Sequence, residues 1–430
     1  MNKKRLILIL MLIVIVASTG VLIGRWSIVG AEGEGYEELK VFTEALSMVK
    51  KNYVEDVKTK DLVYGAIKGM LSSLDPHSSF LNPEAYKEMQ TETKGEFGGI
   101  GIQIGVKEGM LTVIAPIEDT PAYRAGIKAG DKIIKINNEL TKDMSLHDAV
   151  SKMRGVPKTS VTITILREGW KATKDFTLAR ELIKIKSVKS KILEDGIGYV
   201  KISQFQEQTA ADLSTALEKL VQEKMNSLVL DLRNNPGGLL NSAVSVTSQF
   251  LPPGKLVVYI KGKKGERTEY NTDNDWPNYD IPMIVLVNEG SASASEIVAG
   301  ALKDWNKAVI LGIKTFGKGS VQSVIPLSDG SGLRLTTAIY YTPKGTSIQA
   351  TGIVPDIVVK LDIKEKGKEH PVIREKDLEG HLENGQGQEV PKEPEEMAPI
   401  EVQEKDDAQL QRAIDLLKTW KVFKELPKAS

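Results

Sequence analysis

The chain begins with a long uncharged stretch between basic residues. Lys3-Lys4-Arg5 precede an apolar run from Leu6 to Gly24, and Arg25 ends it. As a helix rising about 1.5 Å per residue, this run is roughly 28 Å long, close to the thickness of a bilayer's hydrocarbon layer. The basic cluster favours a cytoplasmic N terminus. Residues 1–35 are therefore predicted to be a cytoplasmic stub and an uncleaved signal anchor, with the body outside the cytoplasm. Secretion after signal cleavage is the alternative.

Residues 36–92 are predicted to form a helical N-terminal region. Apolar residues recur at helical spacing from Tyr36 onward, and a second periodic run begins at Asp61. This run stops at Asp75-Pro76, and the polar segment that continues to Phe80 is predicted to be a turn. His77 lies in that turn, where a structural role is more common than a catalytic one.

Residues 93–182 show the shorter, alternating pattern of strands. Strands are predicted for residues 110–117, 132–137 and 161–169, and a helix for residues 145–154. The glycine-rich run Gly98–Gly105 leads into a strand. The glycines of a dinucleotide-binding fingerprint open a helix instead, so such a site is not expected here.

Residues 183–365 alternate between strands and helices, which is typical of a parallel or mixed sheet. Strands are predicted at residues 198–203, 227–232, 284–287, 308–311 and 333–342, with helices between several of them. Ligand sites in such folds lie at the carboxyl ends of the strands. Asn234–Gly238 and Asn288–Ser293 both follow strands, so we expect these two segments to converge.

Residues 366–430 are dominated by charge and are predicted to be a charged linker followed by a C-terminal helix. The stretch Gln386–Ile400 is rich in Pro and Glu and is predicted to be a linker. Residues 407–423 return to a helical pattern. Its apolar face is predicted to dock on the body or on a partner subunit, and consists of Leu410, Ala413, Ile414, Leu417 and Trp420.

The composition limits the kinds of partner and functional site that the chain can have. Lys+Arg and Asp+Glu are both 57, so no charge bias points to nucleic acid as a partner. The absence of cysteine excludes disulfides and a thiol nucleophile, and the four histidines match no zinc motif. Gly312 to Lys318 has the spacing of a phosphate-binding loop, but Gly319 stands where that loop needs Ser or Thr for magnesium. No metal or cofactor is predicted.

The stretch from Ile284 to Gln322 carries the strongest candidate chemistry. Small residues with three serines, Ser291, Ser293 and Ser295, lie at a strand-to-helix turn, where unpaired helix N–H groups attract an anion. Lys318 lies between two glycines further along. A desolvated lysine can deprotonate a serine hydroxyl. The residues therefore indicate a serine–lysine hydrolase, and spacing alone does not choose among the three serines.

The strand-rich region resembles a PDZ domain in its glycine-rich loop, in Pro121-Ala-x-x-Ala-Gly-Ile127 and in its Gly-Asp-x-Ile-x-x-Ile-Asn segment (residues 130–137). Such a domain adds a C-terminal peptide as an extra strand and binds its carboxylate with loop amides. A groove closed by the chain's own segments is the alternative. The resemblance implies that the peptide meets Gly99, Ile100, Gly101, Ile102, Ile104, Val150 and Met153.

Residues 36–361 resemble the carboxy-terminal processing (tail-specific) proteases, which are serine–lysine peptidases with an inserted PDZ domain. Four motifs in the same order carry the resemblance: Gly95–Ile102, Asp231–Gly238, Gly290–Glu296 and Gly317–Gln322. It implies a mixed-sheet α/β protease core, and an α+β PDZ domain that captures substrate C termini and regulates activity.

The resemblance also assigns roles to individual residues. It implies Ser293 as nucleophile, Lys318 as general base and Gln322 as the residue that orients the lysine. It places the oxyanion donors at the amide of Ala294 and at one of the pair Gly237 and Gly238. Ser291 and Ser295 are then expected to cap the helix.

The main hypothesis is a membrane-anchored endopeptidase that acts on proteins or peptides with free C termini. A homodimer or an activating protein partner is compatible with it. The alternative is a non-catalytic PDZ scaffold on a degenerate protease fold.

Overall fold

The computed structural model describes residues 35–107, 109–142, 144–360, 373–384 and 407–425. The predicted anchor (residues 1–25) and the predicted linker (residues 386–400) lie outside these ranges. Within them, no helix is both long and apolar enough to cross a membrane. The chain divides into two compact units, the first ending at Met70 and the second beginning at Leu71.

The N-terminal region is helical, as predicted, up to Ser72. Helix α1 spans Tyr36–Asn52 and α2 spans Thr59–Ser72. None of the α1 residues is buried. The strand β1 (Ser79–Leu81) and helix α3 (Pro83–Lys94) follow. The turn predicted between Asp75 and Phe80 is therefore wrong at its end, where Ser79 and Phe80 belong to β1.

The inserted domain is a small antiparallel sheet with two helices. Its strands run in the order β3-β4-β5-β7-β8, and β6 pairs with β5. The elements are β2 (Glu96–Gly99), β3 (Ile102–Lys107), β4 (Met110–Pro116), α4 (Pro121–Arg124), β5 (Lys132–Ile136), β6 (Glu139–Leu140), α5 (Leu146–Met153), β7 (Ser160–Leu166), β8 (Lys174–Ala179) and β9 (Glu181–Lys184).

Strands β2 and β9 pair only with each other, so they form a two-stranded ribbon at the point where the chain enters and leaves the domain. The amide of Ile185 donates to the carbonyl of Gly95 (2.8 Å), and the amide of Glu207 donates to that of Thr93 (3.1 Å). The end of α3, which leads directly into the ribbon, is thereby bonded to the loop before the first long helix of the core.

The core contains a mixed sheet and a second, antiparallel sheet. Its elements are β10 (Val188–Ile192), β11 (Ile197–Ile202), α6 (Thr209–Gln222), β12 (Ser227–Asp231), α7 (Leu240–Ser248), β13 (Leu256–Gly262), β14 (Arg267–Asn271), β15 (Met283–Val287), α8 (Ala294–Asp304), β16 (Val309–Gly312), β17 (Ser320–Pro326), β18 (Gly332–Tyr341) and β19 (Ile357–Val358). The mixed sheet has the order β10-β11-β12-β15-β16-β19 and is parallel except for β10. The predicted α/β class is confirmed.

The second sheet runs β1-β18-β13-β14, with β17 also paired to β18. Strand β1 aligns Ser79 with Arg334, so the turn before it lies beside β18. The sequence predicted β18 of this sheet but not β13 and β14, which have no clear alternating pattern.

Both faces of the mixed sheet are buried, because alternate residues of each strand point to opposite sides. On β12, Leu228 and Leu230 contact the cluster under helices α6, α7 and α8, whereas Val229 belongs to the other face. That other face is covered by helix α9 (Ala408–Glu425). Burial of a leucine or isoleucine side chain contributes about 1.5–3 kcal/mol.

The predicted C-terminal helix is confirmed, and it docks on the core of its own chain. Leu410, Ala413, Ile414 and Leu417 are buried, but Trp420 is 58% exposed, so its assignment to the docked face is wrong. Residues 373–384, called the docked segment below, also pack on the core through a short 3-10 turn at Glu375–Asp377. The expected charged linker therefore does not include this segment.

Candidate active site

Ser293 ends the turn between β15 and α8 in a strained conformation. Its φ of 53° and ψ of −112° are unusual for a residue with a side chain, and such a conformation costs about 1–3 kcal/mol. The residue is half-buried and precedes the first residue of α8. Strain of this kind is typical of a nucleophile held on a strand-to-helix turn.

The two neighbouring serines are fully buried and serve the structure. The hydroxyl of Ser291 donates to the carbonyl of Leu232 (2.8 Å) and accepts from the amide of Asn288 (3.0 Å). The hydroxyl of Ser295 donates to the carbonyl of Asn235 (2.9 Å). The expected helix capping is wrong, because both hydroxyls instead fasten the serine turn to the loop after β12. This makes the two segments converge, as predicted.

Glu296, which the sequence did not single out as functional, joins the serine turn to the lysine loop (residues 313–319). Its Oε2 accepts from the amides of Ser293 (2.8 Å) and Lys318 (3.0 Å). Its Oε1 accepts from the hydroxyl of Thr315 (2.5 Å) and the amide of Gly317 (2.8 Å). The pKa of Glu296 is raised to about 7, because the effect of burial exceeds the opposite effect of these four hydrogen bonds. The sequence feature that could have identified Glu296 is its position three residues after the N-cap of a helix.

The side chain of Lys318 is half-buried beside several charges. Burial lowers its pKa below the usual lysine value, and the nearby Arg334 guanidinium lowers it further. The carboxyl groups of Glu375, Glu296 and Asp75 act in the opposite direction. Within the described part of the chain, no hydrogen bond joins Nζ of Lys318 to Oγ of Ser293. The lysine loop is instead placed through its backbone.

Gln322 follows a β-bulge between Val321 and Gln322, which turns its side chain back towards β18. Its Nε2 donates to the hydroxyls of Ser320 (3.0 Å) and Thr336 (3.3 Å). Thr336 in turn donates to Asp75 (3.1 Å). In this arrangement the amide of Gln322 holds its own strand pair, and no hydrogen bond within the described ranges links it to Lys318.

The turn at Gly237 and Gly238 lies against the serine turn. A Cβ on Gly237, whose φ is 102°, would be 2.8 Å from Cβ of Ser293 and 2.9 Å from the amide nitrogen of Ala294. The amide of Gly237 already donates to Oδ1 of Asn235 (2.9 Å). Among the described residues, the amides of Gly238 and Ala294 donate to no acceptor. These two N–H groups are available to an anion.

Tyr340 is a second residue that sequence reasoning missed. Its ring is buried on β18, and its amide donates to the carbonyl of Gly319 (2.9 Å). Burial raises the pKa of its phenol well above the ordinary value, and the side chain of Ser293 lowers it, so the two hydroxyls lie near each other. The phenol makes no hydrogen bond of normal geometry within the described ranges. The alternating pattern of β18 gave no indication that the phenol of Tyr340 lies near Ser293.

The predicted peptide-binding residues gather at one edge of the inserted domain. Ile100, Gly101 and Met153 are buried, and Ile102 and Ile104 of β3 pack partly buried against the same core. Gly99 ends β2, and Val150 lies half-buried on α5. The loop carbonyls are used: Ile100 accepts from Ala122, and Gly101 accepts from Ile117. In the described part of the chain, the amides of Ile100 and Gly101 donate to no acceptor.

Comparison with known proteins gives matches along the chain. Residues 196–359 match peptidase family S41, residues 112–167 match a PDZ domain, and residues 27–85 match the N-terminal domain of the activating protease CtpB. The carboxy-terminal-processing protease of Bartonella bacilliformis is 43% identical over 400 residues, which cover 90% of each chain.

Two further matches cover less of the chain. The carboxyl-terminal-processing protease of a Synechocystis species is 38% identical over 321 residues, which cover 73% of this chain and 75% of the relative. A solved structure, the photosystem II D1 C-terminal processing protease, is 32% identical with a TM-score of 0.44, and the match covers 74% of this chain and 92% of that one. The similarity to the Bartonella relative thus extends beyond any single domain.

Proposed function

This chain belongs to the carboxy-terminal processing proteases of peptidase family S41 and is a serine peptidase, and from that premise we propose that Ser293 is its nucleophile and Lys318 its general base. The observation that carries this assignment is the carboxylate of Glu296, which binds the amides of both residues. Ser293 also differs from its two neighbours in being strained and only half-buried.

In the proposed mechanism, the neutral amine of Lys318 takes the proton of the Ser293 hydroxyl as Oγ bonds to the peptide carbonyl carbon. The amides of Ala294 and Gly238 donate to the resulting oxyanion. The Lys318 ammonium then protonates the departing amine, which leaves an acyl-enzyme. A water molecule, deprotonated by Lys318, hydrolyses this ester and restores Ser293.

We assign Gln322 the role of orienting Lys318. Its Nε2 is fixed by Ser320 and Thr336, whereas its Oε1 accepts no hydrogen bond among the described residues. That oxygen is a suitable acceptor for the lysine ammonium as it forms. The burial that lowers the pKa of Lys318 favours the neutral base.

Substitution tests the two central roles. Ser293→Ala and Lys318→Ala are each expected to reduce cleavage of an unstructured peptide by at least about 10³-fold while the circular dichroism spectrum is retained. Lys344→Ala, at an exposed lysine in the turn after β18, is the matched control and is expected to keep full activity. Full activity of either active-site variant would refute the assignment. Peptide binding without labelling by a covalent serine probe would support the non-catalytic scaffold instead.

The PDZ domain is proposed to capture the C terminus of the substrate. The available amides of Ile100 and Gly101 suit a carboxylate, and the edge between β3 and α5 suits an added strand. Substrates with a free C terminus are expected to be cleaved faster than their amidated forms. Val150→Asp is expected to remove that difference, and equal rates in the unmodified enzyme would exclude carboxylate capture.

We further propose that the PDZ domain regulates the protease through the β2–β9 ribbon. Thr93, at the end of α3 just before the ribbon, accepts a hydrogen bond from the amide of Glu207, and Phe205 two residues earlier brackets the oxyanion turn. The amide of Phe205 donates to the carbonyl of Gly237, and its carbonyl accepts from Leu239 (both 2.8 Å). A movement of the ribbon is therefore expected to reach the oxyanion donors. Hydrogen exchange of this loop, measured with and without a C-terminal peptide, tests the link.

The N-terminal sequence supports a proposal for the cellular setting. We propose a single-pass anchor in the cell membrane at residues 1–25 and an extracytoplasmic body. Membrane retention in alkaline carbonate, lost on deletion of residues 1–25, tests this, and recovery of a shortened soluble chain would favour secretion. The exposed Leu39, Phe42 and Val49 of α1 support association with a second copy or an activating protein. Sedimentation of wild type and Phe42→Glu tests the homodimer.

A further inference from the structure

The docked segment (residues 373–384) binds carbonyl groups of the lysine loop, whereas Glu296 binds amides and a hydroxyl of the same loop. It lies beyond the residues that match peptidase family S41. Nη1 of Arg374 donates to the carbonyls of Lys314 and Thr315 (both 2.9 Å). The amide of Glu375 donates to the carbonyl of Phe316 (3.3 Å). Three successive carbonyls of the loop are therefore bound by two residues of the docked segment.

The side chain of Glu375 continues this contact to the residue after the lysine. Its Oε1 accepts from Nε2 of Gln349 (2.8 Å), and Oε1 of Gln349 accepts from the amide of Gly319 (2.9 Å). Oε2 of Glu375 lies 2.7 Å from Nε2 of His77, in the turn before β1. Both Glu375 and Gln349 are fully buried. The histidine that the sequence assigned to a structural turn thus fixes a buried carboxylate near the site.

Resting on the proposed role of Lys318 as base, we propose that Glu375 is a positioning residue for Lys318. Through Gln349 it fixes the backbone of the lysine loop, and its carboxylate supplies a negative charge beside the lysine side chain. Loss of either partner of this buried carboxylate is expected to destabilise the docked segment, which the hydrogen bonds of Arg374 to the lysine loop also hold in place.

Four charged or titratable groups lie around Lys318 and Glu375. Arg334 of β18 lowers the pKa of Lys318 together with burial, whereas Glu375, Glu296 of α8 and Asp75 raise it. His77 faces Glu375 from the same turn as Asp75. Removal of the charge on Glu375 is therefore expected to let Lys318 lose its proton at lower pH. A purely structural residue would change turnover without moving that ionisation.

The test is the pH dependence of kcat/KM for full-length Glu375→Gln. This variant keeps an oxygen to accept from Gln349 but has no charge. The acidic limb of its profile is expected to move to lower pH by roughly 0.5–1 unit, the scale of one charge acting across a partly buried site. Glu379→Gln, an exposed position in the same segment, is the matched control and is expected to coincide with wild type. The shift is expected to persist on a His77→Gln background, which removes the imidazole that lies beside Glu375.

A second variant separates position from charge and covers a failure of Glu375→Gln to fold. Gln349→Met keeps the charge but breaks the link to Gly319, so kcat/KM is expected to fall about 10–100-fold without a shift of the limb. An unmoved limb in Glu375→Gln, or wild-type kcat/KM in Gln349→Met, would overturn the inference. If Lys318→Ala is inactive in the same assays, such a result refutes only this inference, whereas an active Lys318→Ala refutes the proposed function.

Discussion

Asp407→Asn is expected to loosen α9 from the back of the mixed sheet. Arg233 lies between two buried carboxylates: its Nη2 is 2.7 Å from Oδ2 of both Asp231 and Asp407, and its Nη1 is 2.8 Å from Oδ1 of Asp407. Removing one partner of a buried ion pair costs about 3–5 kcal/mol. Asp231 still binds the guanidinium through two hydrogen bonds in the variant. We therefore expect a smaller loss, about 2–3 kcal/mol.

Arg233→Met is expected to destabilise the protein more than Asp407→Asn does, because it leaves the fully buried Asp231 without its counter-ion. Hydrogen exchange of the α9 amides measures helix undocking directly, and chemical denaturation measures global stability. Trp420→Ala, on the exposed side of the same helix, is the control and is expected to change either quantity by less than about 0.5 kcal/mol.

The pH dependence gives an independent check on the same ion pair. Burial raises the pKa of Asp407, but the hydrogen bonds and the charge of Arg233 lower it by more, so the net pKa lies below the ordinary aspartate value. Its contribution is therefore complete above the ordinary carboxyl pKa and disappears as the pH falls through the lower folded-state value. Wild type and Asp407→Asn should converge in acid. Equal α9 protection in Asp407→Asn and Trp420→Ala at neutral pH would refute the reasoning.

Three further predictions concern the active site. Ser293→Gly is expected to be inactive but about 1 kcal/mol more stable in thermal unfolding, because glycine relieves the strain at φ 53°; lower stability would contradict it. Gly237→Ala is expected to abolish peptidase activity by pushing on Ser293, whereas Gly265→Ala, also at positive φ but with open space around it, should lose stability only. Glu296→Gln is expected to lose about 2–5 kcal/mol, because its NH₂ group faces two N–H or O–H donors, and to lower kcat in steady-state assays. Wild-type kcat and stability would exclude this role for Glu296.

Much of the core could be predicted because its strands are buried on both faces. Continuous apolar runs such as Met283–Val287 and periodic runs such as those of α6 and α9 leave few alternatives. Strand β1 could not be foreseen, since three residues carry no period and their pairing with β18 depends on residues far along the chain. Trp420 was misplaced because a helical pattern gives the face but not where the supporting sheet ends.

For the candidate site, the sequence supplied the residue types but not the contacts between them. Three serines at one turn are equivalent by spacing, and only the folded loop after β12 gives Ser291 and Ser295 their carbonyl partners. Glu375 and Gln349 are 26 residues apart, and charge-rich surroundings made the former look like part of a solvated linker. Contacts of this kind depend on tertiary structure, which no local pattern encodes.

The carboxylate of Glu296 has a consequence for the precision of the site. If the nucleophile and the base were anchored to separate parts of the core, the thermal displacements of the two anchors would add in their separation. Both are anchored to the same side chain, so a movement of Glu296 displaces the two amides together and leaves the distance between them largely unchanged. The PDZ ribbon can therefore shift against the core while the reacting pair keeps its spacing. The distance between nucleophile and base thus tolerates motion elsewhere in the molecule, because one carboxylate binds both amides.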